Sequence, residues 1–168
     1  MIYIVSGYMR TGTTMMMRAL EAGGMPAYYE DELYELPKDE IARAVLNPHT
    51  IDGKLFKCIA GGLLRLAAWK YKIIFMQRHY SEIKSSCDNL FGADTPLCSE
   101  KDFHQLMRYT AGVIDQRRDM QWTGIQYRAV LEDPLAVFEL LKKHGGWPID
   151  TGKAAAVVDP NMCHHKAA

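Results

Sequence analysis

Short apolar runs alternate with segments of helical period along this chain, and that alternation limits the fold more than any other feature. The runs are residues 2–5, 55–59, 72–77 and 124–130. Between them, Thr13–Ala22 reads as a helix closed by Gly23-Gly24, and residues 61–69 and 80–90 also carry helical periods. Residues 28–36 are acidic and aromatic and read as a loop, and 38–46 as a short helix before Pro48. Ser99 has Asp102 three positions on, a capping-box-like start. Beyond it Phe103, Leu106, Met107, Thr110, Val113 and Ile114 share one helical face. Asp133-Pro134 opens a last long helix, with Leu135, Phe138 and Leu141 as its buried stripe and Gly145-Gly146 as its stop. Strands separated by helix-length crossovers pair in parallel, so the expected fold class is α/β, a mostly parallel sheet flanked by helices.

With 168 residues and 48% apolar composition, the chain is long enough for one full core, so a single domain spanning 1–168 is expected. Twenty basic and 20 acidic residues cancel to a formal net charge of zero. No global field draws such a chain to nucleic acid or to an anionic membrane, so neither partner is expected and any anion site is local. The opening residues are too short and uncharged for a signal peptide, no apolar run reaches a membrane span, and Cys58, Cys87, Cys98 and Cys163 form no CxxC pair. A cytoplasmic protein with reduced thiols and no metal centre is expected. Cys163-His164-His165 reads as a solvated tail rather than a chelate.

In α/β sheets ligands bind at the carboxyl ends of strands, which points to the loop after the first one. Gly7-Tyr8-Met9-Arg10-Thr11-Gly12-Thr13-Thr14 fits the phosphate-loop frame G-x-x-x-x-G-x-[ST]. Glycines let successive N–H groups turn inward, the following helix adds its positive end, and Thr11, Thr13 and Thr14 add hydroxyls. Thr13 stands where a nucleotide triphosphatase carries the lysine that serves its β- and γ-phosphates beside magnesium, which disfavours ATP or GTP hydrolysis. The cation left in the loop is Arg10.

Arg10-Thr11-Gly12-Thr13-Thr14 resembles the 5′-phosphosulfate-binding loop of sulfotransferases. A second segment agrees with it. The strand 72–77 runs into Arg78, and the next helix supplies Ser86, similar to the family's arginine–serine pair for the 3′-phosphate of the donor; Glu82-Ile83 between them resembles its acidic-aliphatic pair. Tyr127, in a Tyr-Arg-Ala-Val run, resembles the tyrosine that lies near the adenine in relatives, although Arg128 and Ala129 replace two acids there. Val157-Val158-Asp159-Pro160 resembles the closing segment of bacterial members. The resemblance implies a P-loop nucleoside triphosphate hydrolase-like three-layer sandwich. It also implies a metal-free transfer of a sulfuryl group from 3′-phosphoadenosine 5′-phosphosulfate to a hydroxyl on a small molecule or glycan, releasing adenosine 3′,5′-bisphosphate. Donor-binding residues would be Arg10, Thr11, Gly12, Thr13, Thr14, Arg78, Ser86 and Tyr127, with Arg10 also stabilising charge on the bridging oxygen.

Sulfuryl transfer to an alcohol needs a base. The family's histidine, in a Lys-Thr-His context, is missing from the matching Lys57-Cys58-Ile59. Other branches use a carboxylate soon after the first helix, where Glu30 and then Asp31 are the expected candidates; His79, after Arg78, could border the site. A degenerate P-loop nucleotide kinase and a non-catalytic nucleotide-binding module remain the alternatives.

Overall fold

The computed structural model describes residues 1–36, 47–92 and 96–159. Among them four strands, β1 (Ile2–Gly7), β2 (Leu55–Ile59), β3 (Tyr71–Gln77) and β4 (Met120–Gln126), form one sheet in the order β2-β1-β3-β4. Every pairing is parallel. The helices are α1 (Thr13–Ala22), α2 (Ala60–Leu63), α3 (Tyr80–Phe91), α4 (Glu100–Gln116), α5 (Tyr127–Glu132), α6 (Pro134–Lys143) and α7 (Thr151–Ala156).

Successive strand residues point to opposite faces, and each face has its own core. Val5, Leu55, Ile74, Met76 and Ile125 pack under α1, α5, α6 and α7, where Met16, Leu20, Val130, Phe138 and Ala154 are buried. Ile2, Ile4, Phe56, Ile73 and Phe75 pack on the other side with Leu63 of α2 and Ile114 of α4. Both faces are covered, so the central strands β1 and β3 are buried almost throughout rather than alternating, as parallel sheets require. The three-layer α/β architecture expected from the strand and helix order is the one found.

Capping explains where the longer helices begin. Ser99 Oγ accepts from the Asp102 N–H at 3.2 Å at the start of α4, and Asp133 Oδ1 accepts from the Ala136 N–H at 3.0 Å at the start of α6. Pro134 then occupies the first turn of α6, where its missing N–H costs nothing.

Three local expectations are corrected. The fourth strand spans Met120–Gln126, not 124–130, because pairing to β3 runs from Tyr71↔Met120 to Gln77↔Gln126 and stops there. Beyond it, buried Tyr127, Val130 and Leu131 repeat at helical spacing and form the inner face of α5. The helix over 61–69 shrinks to Ala60–Leu63, closed by a tight turn in which the Arg65 and Leu66 N–H groups bond the carbonyls of Gly62 and Leu63, three residues back. Leu135 is exposed, and only Phe138 and Leu141 of its stripe are buried. On α4, Phe103, Thr110 and Ile114 are buried while Leu106, Met107 and Val113 are half-buried. The helix expected over 38–46 and the Cys163-His164-His165 tail lie outside the described residues.

Candidate functional site

The loop between β1 and α1 lies at the carboxyl edge of the sheet, and two glycines allow its shape. Gly7 has φ 152°, and a Cβ there would meet Thr11 Oγ1 at 2.5 Å and the Met76 carbonyl at 2.8 Å. Gly12 has φ 90°, and a Cβ there would stand 2.4 Å from the Tyr127 ring. Between them Arg10 holds φ 64°, a left-handed conformation that a non-glycine residue adopts only under constraint. Thr11 is the constraint within the loop, its buried hydroxyl donating to the Tyr8 carbonyl at 2.7 Å. The α1 N-terminus that follows has no side-chain cap, so its first N–H groups stay open to an anion.

Above this loop lies a cavity of about 420 Å³, a volume suited to a nucleotide-sized ligand. Arg10, Gly12, Thr13, Thr14, Arg78 and Ser86 form its polar wall, and Met15, Leu90 and Tyr127 its apolar one. Of the sequence-expected donor residues, only Thr11 is turned away from it, locked inside the loop. Arg10 Nε donates to Ser86 Oγ at 3.0 Å, and Arg78 donates to the Arg10 carbonyl at 2.9 Å. The Arg78 guanidinium lies over the Tyr127 ring, 4.2 Å from its centroid. Three elements thus meet at one end of the loop: β1–α1 through Arg10, β3–α3 through Arg78 and Ser86, and β4–α5 through Tyr127.

The other end of the loop contains a residue the sequence reading passed over. Lys57, on β2, is only 7% exposed, and its Nζ donates to Thr14 Oγ1 at 3.3 Å. It also donates to the Leu33 carbonyl and pairs with Glu35 Oε1 at 2.6 Å. An ammonium from a neighbouring strand therefore stands beside a loop that lacks its own lysine. The signal for it was present: a lysine inside the apolar run Leu55-Phe56-Lys57-Cys58-Ile59 must be paired when both sheet faces are covered.

The acidic loop after α1 places its carboxylates differently from one another. Glu30 is exposed and is not among the residues that line the cavity. Asp31 Oδ1 accepts from the N–H groups of Leu33 and Glu35 at 2.9 and 2.8 Å, so it fixes the turn. Glu35 is the acid carried to the Thr14 end, through Lys57, although neither of the two lines the cavity itself. Cys58, in the strand position beside Lys57, is buried, and its thiol is pushed up to about 12, by desolvation first and by Glu35 second. It stays protonated at neutral pH and is no nucleophile. His79 hydrogen-bonds Ser81 through Nδ1 at 2.7 Å and lines a neighbouring groove rather than this cavity.

Among the described residues no cluster of His, Cys, Asp and Glu could hold a metal ion, and no helix is long and apolar enough to cross a membrane.

The fold is α/β, a four-stranded parallel sheet flanked by helices with a glycine-bent loop between its first strand and helix, as in P-loop-like structures. No family model and no curated protein matches the chain. Among solved structures, the sulfotransferase domain from the curacin biosynthetic pathway matches with a TM-score of 0.50 at 14% identity, over 98% of this chain and 85% of that one. An unliganded sugar kinase from Janibacter sp. HTCC2649 matches with a TM-score of 0.43 at 12% identity, over 94% of this chain and 98% of that one. At 14% identity the likeness to the sulfotransferase domain concerns the fold alone.

Proposed function

We propose that the chain is a sulfotransferase-like enzyme that transfers a sulfuryl group from 3′-phosphoadenosine 5′-phosphosulfate to a hydroxyl acceptor, a small molecule or a glycan. The observation that carries this reading is the pair of cationic ends on one loop. Arg10, Arg78 and Ser86 converge at one end, and Lys57 meets Thr14 at the other. A nucleotide with phosphates on both its 3′ and 5′ positions has charge to place at both.

In this reading the open N–H groups of α1 and the hydroxyls of Thr13 and Thr14 hold the 5′-phosphosulfate, and Arg78 with Ser86 holds the 3′-phosphate. Met15, Leu90 and Tyr127 offer apolar surface to the base. The acceptor oxygen attacks sulfur while the sulfur–oxygen bond to the 5′-phosphate breaks, and adenosine 3′,5′-bisphosphate leaves. Charge grows on the bridging oxygen and on the sulfuryl oxygens, where Lys57 beside Thr14 provides positive charge and Arg10, released from Ser86 when the 3′-phosphate binds, adds its own. The sulfuryl group carries less charge than a γ-phosphoryl group, so these cations can serve without magnesium. The acceptor proton passes to a carboxylate of the acidic loop. Glu35 has the better support, because Lys57 ties it to the reacting end of the site. Glu30 is the other candidate on the same loop.

Thermal unfolding tests the donor class. At 100 times its dissociation constant, a ligand bound only by the folded chain adds about 2.7 kcal/mol. Adenosine 3′,5′-bisphosphate should raise the unfolding temperature in the presence of EDTA, and ATP with magnesium should not. The reverse result would make the chain a kinase with a displaced lysine.

A further inference from the structure

Glu82 is an acid in the first turn of α3 and is only 3% exposed. Its carboxylate is divided between two guanidiniums. Oε2 accepts from Arg78 Nε at 3.1 Å, and Oε1 accepts from Arg128 Nε at 2.5 Å while also pairing with Arg128 NH2. A buried carboxylate is costly unless charge-assisted hydrogen bonds offset its desolvation, and here two arginines and a helix N-terminus do so. Buried ion pairs contribute little net stability, so their clearest product is a fixed orientation.

That orientation belongs to Arg78. Its side chain is 6% exposed and is held on three sides: Nε on Glu82, NH1 on the Arg10 carbonyl, and its face on Tyr127. An arginine fork held this way has little rotamer freedom left to lose when an anion arrives. A carboxylate alone would also cancel the charge that attracts the anion. Arg128 corrects this. Two guanidiniums against one carboxylate leave the trio positive, and the Arg128 side chain is 55% exposed, so it adds charge without needing full burial. Neither Glu82 nor Arg128 lines the cavity.

We propose that Glu82 and Arg128 are a positioning pair that aims Arg78 at the 3′-phosphate of the bound nucleotide. Discrimination between adenosine 3′,5′-bisphosphate and adenosine 5′-phosphate then depends on two residues that touch neither ligand. The proposal rests on the reading of the cavity as a nucleotide bisphosphate site.

The test is a calorimetric titration of both nucleotides into the wild type, Glu82→Gln, Arg128→Met, Arg78→Ala and the double variant Arg78→Ala/Glu82→Gln. Glu82→Gln should lower the preference for the bisphosphate roughly tenfold, with affinity for adenosine 5′-phosphate changed by less than about twofold, a coupling typical of neighbours in one network. Arg128→Met should lower the preference in the same direction. In the Arg78→Ala background Glu82→Gln should change the preference no further, because the residue it acts through is gone. A wild-type preference that survives Glu82→Gln would overturn the positioning role alone. So would equal weakening of both ligands, the mark of a merely structural residue. If Glu82→Gln does not fold, Arg128→Met decides, and an unchanged preference there overturns the proposal. A wild type without any preference would overturn the nucleotide reading and the proposal with it.

Discussion

The two ends of the β1–α1 loop are built from different materials. At the Arg78 end, the centre of the polar network sits on a strand end and one helix and is buried, Glu82 at 3% and Ser86 at 6% exposure with the Arg78 side chain at 6%, while Arg10 and Arg128 reach it from exposed positions. At the Thr14 end, only Lys57 is buried and strand-borne. Its partners, Glu35 and the Leu33 carbonyl, come from an irregular segment whose turn is fixed by Asp31. The contrast suits a division of labour. Recognition of a constant donor profits from a rigid, preorganised fork, whereas approach of an acceptor suits a segment that can adjust.

The largest expected effect lies at the adjustable end. Glu35→Gln should lower sulfuryl transfer by a factor on the order of 10²–10⁴, the span of general-base contributions. Lys57→Met should lower it by about 10²–10³, the loss of one preorganised charge. Glu35→Gln should leave binding of adenosine 3′,5′-bisphosphate close to wild type in calorimetry, whereas Lys57→Met should also weaken it, because the 5′-phosphate loses the charge at its end of the loop. Glu30→Gln is the control. If it abolishes transfer and Glu35→Gln does not, the base lies elsewhere on the acidic loop, and the link through Lys57 is only structural.

Smaller effects are expected at the rigid end, and they should fall on binding. Arg78→Ala removes a charged hydrogen bond of about 1.5–3 kcal/mol, so affinity for the bisphosphate should fall roughly 10–150-fold. Ser86→Ala removes one hydroxyl bond to the same charged phosphate, at the low end of that range, about 1.5 kcal/mol, a loss of roughly 10-fold. Neither should alter affinity for adenosine 5′-phosphate to the same degree. Equal losses for the two nucleotides would erase the distinction between the ends.

The rigid end was also the legible one. The loop could be read from its glycine spacing, and Arg78 and Ser86 were singled out by their resemblance to the sulfotransferase arginine–serine pair, a pattern of short sequence range. Thr13–Ala22 was found with its expected bounds for the same reason, since Gly12 and Gly23 punctuate it. The adjustable end escaped because its geometry is tertiary. Lys57 reaches Thr14 only when β2 lies beside β1, a neighbour relation that no local pattern encodes. Glu35 is one of several acids in its segment, and only the contact with Lys57 singles it out. The misplaced fourth strand has a related cause. Gln121, Gly124 and Gln126 interrupt the apolar run of an edge strand, while Tyr127, Val130 and Leu131 look apolar enough to be one.

A crystal structure of the chain with adenosine 3′,5′-bisphosphate tests the central claim most directly. The 3′-phosphate should lie within about 3.2 Å of a terminal guanidinium nitrogen of Arg78 and of Ser86 Oγ, the hydrogen-bond range, with the 5′-phosphate on the N–H groups after Gly12. The Arg10–Ser86 contact, 3.0 Å in the free chain, should then have opened to admit the 3′-phosphate. A nucleotide whose 3′-phosphate points to solvent, with Arg10 still bonded to Ser86, would contradict it.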